Sequence, residues 1–377
     1  MDELAERYRA NLEVLEAARI RLQTAVDAGT ANDAQRRRLE TVKELLTPVT
    51  ISALDAEGNV IAVQRPRQFL KVDPEGQGRA VEVLGDVEHA KNVAVLVPGM
   101  GNSLDTFRGQ SDRGDLIRQE AGPSDTAVVV WLDYDSPQGL VQAASKDAAL
   151  EGGPRPAEFL QELDQLKADG AEVTAVAHSY GTDVLGQALL DGGRAKRVVM
   201  TGSPGITKYV DEAADFVQPP SRLYVERAPG DYVAYSEWHG PDPATFPDAI
   251  RMATNDPIAN DEAVSVHWHN EYYRPNSEAL RNIGRVVRGD LGSITTTDTS
   301  RSAETKLVLG TSWGGPLNAV AGAASKVYDG VVALSNPSQE SARAAASGVG
   351  GSGAGGRGGT ARATGVTRGR RAEGPRR

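Results

Sequence analysis

The chain has 377 residues, 41 basic against 51 acidic side chains, and a formal net charge of −10. It contains no cysteine, which excludes disulfides, thiolate zinc sites and cysteine nucleophiles. The opening segment MDELAERYRANLEVLEAARIRL is charged throughout and no run of about 18 apolar residues occurs, so neither a signal peptide nor a transmembrane segment is expected and a cytoplasmic chain is.

Leu4, Tyr8, Leu12, Leu15, Ala18, Leu22 and Val26 recur at three- and four-residue steps, predicting an amphipathic helix over 3–26. Gly29 ends it, and Asn32 or Asp33 caps a second helix with apolar positions at Leu39, Val42, Leu45 and Leu46. Residues 1–47 therefore read as a helical hairpin. Its apolar stripe needs a cover, either the rest of the chain or a second copy, which makes a homo-oligomer through the hairpin one expectation. VTISALDAEGNVIAVQ and FLKVDPEGQGRAVEVLGD then read as strand pairs turning at Gly58-Asn59 and Pro74-Glu75-Gly76, so the first strands form hairpins within 48–85. Asp73, Glu75 and Gln77 alternate as in a calcium loop but no bidentate glutamate follows, so an ordinary turn is expected.

From Asn92 the rhythm becomes strand, helix, strand. VAVLV (93–97), AVVVWL (127–132), VTAVA (173–177), RVVMT (197–201) and RLYVE (222–226) are short apolar runs suited to a parallel sheet buried on both faces. PAEFLQELDQLKADG and TDVLGQALLDGG between them keep their apolar residues on one side and end near glycine. This alternation predicts an α/β fold with a mostly parallel, doubly wound sheet over 48–292, with sites at the carboxyl ends of its strands.

Chemistry does follow the strands. PGMGNS succeeds the first of these runs, HSYG the third and APGDYV the fifth, and VHWHNEYY stands before the helical pattern NSEALRNIGRVVRG. Ser179, Asp231 and His269 thus occur in the order nucleophile, acid, base, with the serine on a strand-to-helix elbow in Ala177-His178-Ser179-Tyr180-Gly181. A serine hydroxyl needs a base to remove its proton, and the base needs a carboxylate to fix its tautomer. The oxyanion of an acyl-transfer intermediate needs backbone N–H donors, expected from Tyr180 and from Met100 with Gly99 or Gly101 beside it.

The runs GRAVEVLGDVEHAKNVAVLVPGMGNSLDTF, AHSYGTDVLGQAL, TGSPG, APGDYV and HNEYYRPNSEALRNI are together similar to actinobacterial α/β hydrolases catalogued as a domain of unknown function. The resemblance spans roughly residues 69–287. It implies an α/β-hydrolase fold and a serine hydrolase whose nucleophile, acid and base fall on Ser179, Asp231 and His269. It also favours His269 over His267, because the family histidine directly precedes NEYY.

His267 and His269 flank Trp268 and would share one face of a strand, but no third ligand stands at metal spacing, so neither a metal nor another cofactor is expected. Asp133 and Glu226 are the alternative acids, His178 packs beside or lines the pocket, and His239 and His89 are expected at the surface. The segments between the fourth and fifth of the apolar runs and from Tyr232 to Asp261, with Tyr232, Tyr235, Trp238 and Phe246 in the latter, read as a small cap over an apolar acyl pocket. The expected substrate is a small-molecule or lipid-like carboxylic ester. The alternative is a protein that kept the fold without turnover and serves binding or assembly.

Residues 293–338 form an extension, and 339–377 are rich in glycine, alanine and arginine. From Ser341 onward eight arginines stand against Glu373 alone, a net of +7, which leaves −17 on residues 1–340. The acidic body argues against general nucleic-acid binding. The tail reads as disordered, either merely solvated or a tether to a polyanion.

Overall fold

A computed structural model of the chain describes residues 3–54, 60–143, 147–152, 154–207, 209–229, 231, 233–254 and 266–300, without the side chains of 51–54, 60–62, 140, 141, 151 and 266–268. Helix α1 (Glu3–Asp27) and helix α2 (Asp33–Leu46) form the hairpin the spacing predicts. Asn32 opens α2 with a reciprocal cap: its side chain accepts from Gln35 N–H while the Gln35 side chain accepts from Asn32 N–H. Strands β1 (Val49–Leu54) and β2 (Val60–Arg65) pair antiparallel as a separate two-stranded sheet. Strands β3 (Gln68–Asp73) and β4 (Arg79–Leu84) form a second hairpin, and the Asp73–Gln77 stretch is its turn, with Glu75 N–H donating to Asp73 Oδ1 at 3.0 Å.

The remaining strands are β5 (Asn92–Val97), β6 (Thr126–Leu132), β7 (Glu172–His178), β8 (Arg197–Thr201), β9 (Arg222–Glu226) and β10 (Ala249–Met252). Together with β3 and β4 they make one eight-stranded sheet in the order β10-β9-β8-β7-β5-β6-β4-β3. All pairings among β5 to β10 are parallel; β4 joins β6 antiparallel and brings β3 with it. Every residue of β6 is buried, as a strand covered on both faces must be. The connecting helices are α3 (Phe107–Ala121), the short α4 (Leu140–Ala143) and α5 (Asp147–Gly152), α6 (Pro154–Leu166), α7 (Gly181–Leu190) and α8 (Glu278–Val287). Helix α3 packs with α8, while α5 and α6 pack with α7, giving the two helix layers that this architecture requires.

Strand β10 corrects the reading of 232–261 as cap alone, because part of that segment extends the sheet beside β9. AIRM is only four residues long and half-exposed along three of them, too short for a periodic pattern.

Both sheet edges are covered from within the chain. At β3, the Asn11 side chain donates to Phe69 O at 2.9 Å and accepts from Val72 N–H at 3.1 Å, and Arg7 Nε donates to Leu70 O at 2.7 Å. The stripe of α1 and α2 joins the main core through Leu15, Leu22, Leu39, Val42 and Leu45, so the body of the chain itself supplies the cover. At β10, Ala253 N–H donates to Thr295 O at 2.9 Å and Thr297 N–H to Arg251 O at 3.1 Å. The expected disordered tail, and the extension beyond residue 300, lie outside the described residues. Among the described residues no helix is long and apolar enough to cross a membrane.

Candidate active site

Strand β7 sits near the centre of the sheet and ends at His178; α7 starts at Gly181. The chain reverses between them through Ser179, whose φ of 56° is in the left-handed region that a non-glycine residue rarely occupies. Neighbouring groups hold that strained turn. Ser179 N–H donates to Thr201 O at 3.0 Å, and Thr182 donates to Ser179 O from both its N–H (2.9 Å) and its hydroxyl (2.7 Å).

Asp231 follows the turn after β9, and His269 lies in a 3₁₀ segment, Val266–Tyr273. This corrects the expectation that His267 and His269 share a strand face; the His267 and Trp268 side chains lie outside the described residues. The structure brings Ser179, His269 and Asp231 into one chain of hydrogen bonds. His269 Nε2 is 2.7 Å from Ser179 Oγ, and His269 Nδ1 is 3.0 Å from each Asp231 carboxylate oxygen. His269 and Asp231 are fully buried, whereas Ser179 keeps 7% of its surface. Both ring nitrogens of His269 are thus engaged, and neither alternative acid is bonded to them. Asp133 accepts from Lys71 Nζ at 2.6 Å instead, and Glu226 is buried at the end of β9.

Three further groups serve Asp231. The Tyr272 hydroxyl donates to Oδ2 at 2.6 Å, and the N–H groups of Val233 and Ala234 donate to Oδ1 at 3.1 and 3.3 Å. Burial alone would raise the carboxyl pKa, but His269 and these donors outweigh it and hold Asp231 below the usual aspartate value. Burial and the adjacent Asp231 push the Tyr272 phenol well above its ordinary value, so it stays a donor. Gly202, at φ 57°, packs against this cluster: a Cβ there would lie 2.9 Å from the Tyr272 ring and 3.0 Å from both Asp231 Oδ2 and His269 Nδ1. Sequence reasoning singled out neither residue for this role, although Tyr272 stands three positions after His269 and Gly202 lies in the quoted TGSPG.

The loop after β5 lies against the elbow. A Cβ on Gly99 would come within 2.8 Å of Ser179 Cβ, so only glycine allows the approach. Asn102 Nδ2 donates to Gly99 O at 2.9 Å and Met100 O at 3.3 Å, and the Tyr134 hydroxyl donates to Pro98 O at 2.7 Å. Gly101 N–H donates to Pro137 O at 2.9 Å, which removes it from the candidate oxyanion donors and leaves Met100 beside Gly99.

The other expected pocket residues divide. His178 is buried against His269, with ring centroids 4.8 Å apart. Tyr232 lies outside the described residues. Trp238 is 53% exposed. Its neighbour His239, expected at the surface, is instead buried, edge-on to the Tyr180 ring at 5.0 Å and 3.6 Å from Asp183. His89 is exposed and pairs with Asp86 at 2.9 Å. Among the described residues no group of three or more histidine or carboxylate side chains gathers as a metal would need.

Residues 73–239 match the model of a family described as alpha/beta hydrolase, and the chain has the α/β-hydrolase fold. An uncharacterized protein of Mycobacterium tuberculosis is 30% identical over 248 residues, 57% of this chain and 37% of that one. An uncharacterized protein of Mycobacterium bovis is 31% identical over 173 residues, 41% of this chain and 61% of that one. Both relatives are actinobacterial, as the motif resemblance implies, and the chain spans little more than a third of the first. Among solved structures, an esterase of Pyrobaculum calidifontis aligns at 15% identity over 72% of this chain and 98% of its own, with a TM-score of 0.36. A carboxylesterase from Mesorhizobium loti aligns at 16% identity over 52% and 97%, with a TM-score of 0.34.

Proposed function

We propose that the chain is a serine hydrolase that cleaves a carboxylic ester through an acyl-enzyme on Ser179. The observation that carries this reading is the 2.7 Å contact between Ser179 Oγ and a His269 ring whose other nitrogen faces Asp231. With Nδ1–H committed to the carboxylate, Nε2 is left as the unprotonated nitrogen and can take the serine proton. Ser179 Oγ then bonds the ester carbonyl carbon, and the alcohol leaves with the proton that His269 returns. Water repeats the sequence, losing a proton to His269 and releasing the acid as Ser179 regains its hydrogen.

The oxyanion is assigned to the N–H groups of Met100 and Tyr180. In a trans peptide the N–H points opposite the preceding carbonyl, and Gly99 C=O is held toward Asn102, whose Nδ2 donates to it at 2.9 Å. Met100 N–H therefore turns to the opposite side, and Gly99 is the residue that packs on the elbow. Asn102 on the Gly99 carbonyl and Tyr134 on the preceding Pro98 carbonyl keep that donor in place before substrate arrives, which is what preorganised stabilisation demands.

Hydrolysis of p-nitrophenyl esters of increasing acyl length tests the proposal. Turnover should be lost in Ser179→Ala and reduced about a thousandfold or more in His269→Gln. Undiminished turnover in Ser179→Ala would sink it. The acyl length giving the highest kcat/KM separates a lipid-like substrate from a short ester.

A further inference from the structure

Two adjacent residues of the elbow grip one histidine at opposite ends. Ser179 Oγ meets His269 Nε2, and His178 Nε2 lies 2.6 Å from the His269 main-chain carbonyl. We propose that His178 is a positioning residue, whose Nε2–H bond to the His269 carbonyl sets the reach of the His269 ring to Ser179. This rests on the serine-hydrolase reading above.

A carbonyl oxygen carries no hydrogen, so His178 Nε2 must be the donor, and this assigns its tautomer. The bond joins unlike elements. His178 closes the central strand β7, whereas His269 rides on a 3₁₀ segment with no place in the sheet ladder. Geometry that a strand would supply through its neighbours must come here from side chains. His178 supplies it at residue 269, and Arg113 on α3 supplies it at the next residue, with Nη2 donating to Asn270 Oδ1 at 3.0 Å. The Arg113 guanidinium also lies 5.3 Å from the Tyr273 ring centre, and the Tyr273 hydroxyl lies 3.1 Å from Thr201 Oγ1 on β8.

The His178 ring is enclosed by His269 at 4.8 Å, Tyr273 edge-on at 5.7 Å and Tyr272 at 6.1 Å. Burial, reinforced by His269 and Arg113, drives its pKa well below the ordinary histidine value. A neutral His178 suits the role. It gives one proton to a fixed acceptor and places no second positive charge against the imidazolium that forms on His269 during acyl transfer. Packing alone would need the ring and not the N–H, and that difference is testable.

The full chain would be compared with His178→Phe, which keeps a ring and loses the donor, and His178→Gln, which keeps an N–H donor. The readouts are p-nitrophenyl acetate kinetics, the rate of fluorophosphonate labelling, and the downfield proton resonance of the His269–Asp231 hydrogen bond. The Phe variant should lose about tenfold to a hundredfold in kcat and in labelling rate, as misplacement of a reacting group does, with KM within about twofold. Its downfield resonance should shift or broaden, and the Gln variant should recover most of the rate and the resonance. A folded Phe variant with wild-type kcat overturns the inference, as do Phe and Gln variants equally impaired. If the Phe variant does not fold, His178→Leu replaces it in the same comparison; if neither folds, a folded Gln variant slowed a hundredfold overturns the inference and one near wild-type rate upholds it. An unlabelled wild type would overturn the hydrolase reading, and this inference with it. A labelled wild type with an unaffected Phe variant overturns only the role of His178.

Discussion

The Tyr272 hydroxyl donates at 2.6 Å to Asp231 Oδ2, one of the two oxygens that face His269 Nδ1 at 3.0 Å. That hydroxyl also accepts the N–H of Ala228 at 3.0 Å, so one phenol ties the acid to the turn that presents it. A hydrogen bond to a charged group contributes about 1.5–3 kcal/mol, and its loss here leaves a buried N–H unsatisfied as well. Tyr272→Phe should therefore lower unfolding stability by about 1.5–3 kcal/mol in urea and reduce kcat about tenfold, since Asp231 keeps its two backbone donors. Wild-type stability in that variant would show that the phenol is dispensable to the turn.

The depressed pKa of His178 has a consequence for stability. The unfolded chain binds a proton at this residue near pH 6.5, the folded chain only at lower pH, so stability rises with pH across this interval. Its contribution is fully present above about pH 6.5 and is lost as pH falls toward the folded value. Tm should decline below that pH in the wild type and decline less over the same interval in His178→Gln. Asp231, whose folded pKa is also lowered, adds a second loss that starts below about pH 4. Identical Tm profiles for wild type and His178→Gln between pH 7 and pH 5 would contradict the assignment of a buried neutral histidine (roughly the window in which an ordinary histidine titrates).

Asn11 gives the hairpin a specific task at the β3 edge. Asn11→Ala leaves Phe69 O and Val72 N–H without those partners and should cost about 1–2 kcal/mol in urea unfolding. Deleting residues 1–47 uncovers the whole edge together with the core positions that Leu15, Leu39 and Val42 fill, so light scattering should report aggregation. A soluble, unchanged monomer would mean that the hairpin is an independent module.

The sheet was legible where its strands are long enough to show themselves. Five apolar runs predicted β5 to β9 to within a residue or so, because a strand buried on both faces must be apolar at almost every position. Strand β10 was hidden because four residues including Arg251 carry no period. The elbow could be read because strand, serine and helix are contiguous, whereas Asp231 and His269 were singled out by motif order and, for His269 over His267, by the resemblance. What no pattern announced was the layer around them. His239 sits among Glu237, Trp238 and Gly240 and reads as a surface loop, yet a left-handed turn at Glu237 (φ 52°) precedes it and the ring is carried under Tyr180. Tyr272 and Gly202 meet Asp231 from segments about 40 and 30 residues away, and His178, expected beside the pocket, reaches a carbonyl about 90 residues further on that no local spacing encodes.

Labelling of the full chain with a fluorophosphonate, followed by mass spectrometry of its peptides, asks directly whether Ser179 is an activated nucleophile. Only a serine activated by a neighbouring base reacts quickly with such a probe. One rapidly labelled residue is expected, Ser179, with labelling absent in Ser179→Ala and slowed about a thousandfold in His269→Gln. Label on another residue, or wild-type labelling rates in His269→Gln, would contradict that role.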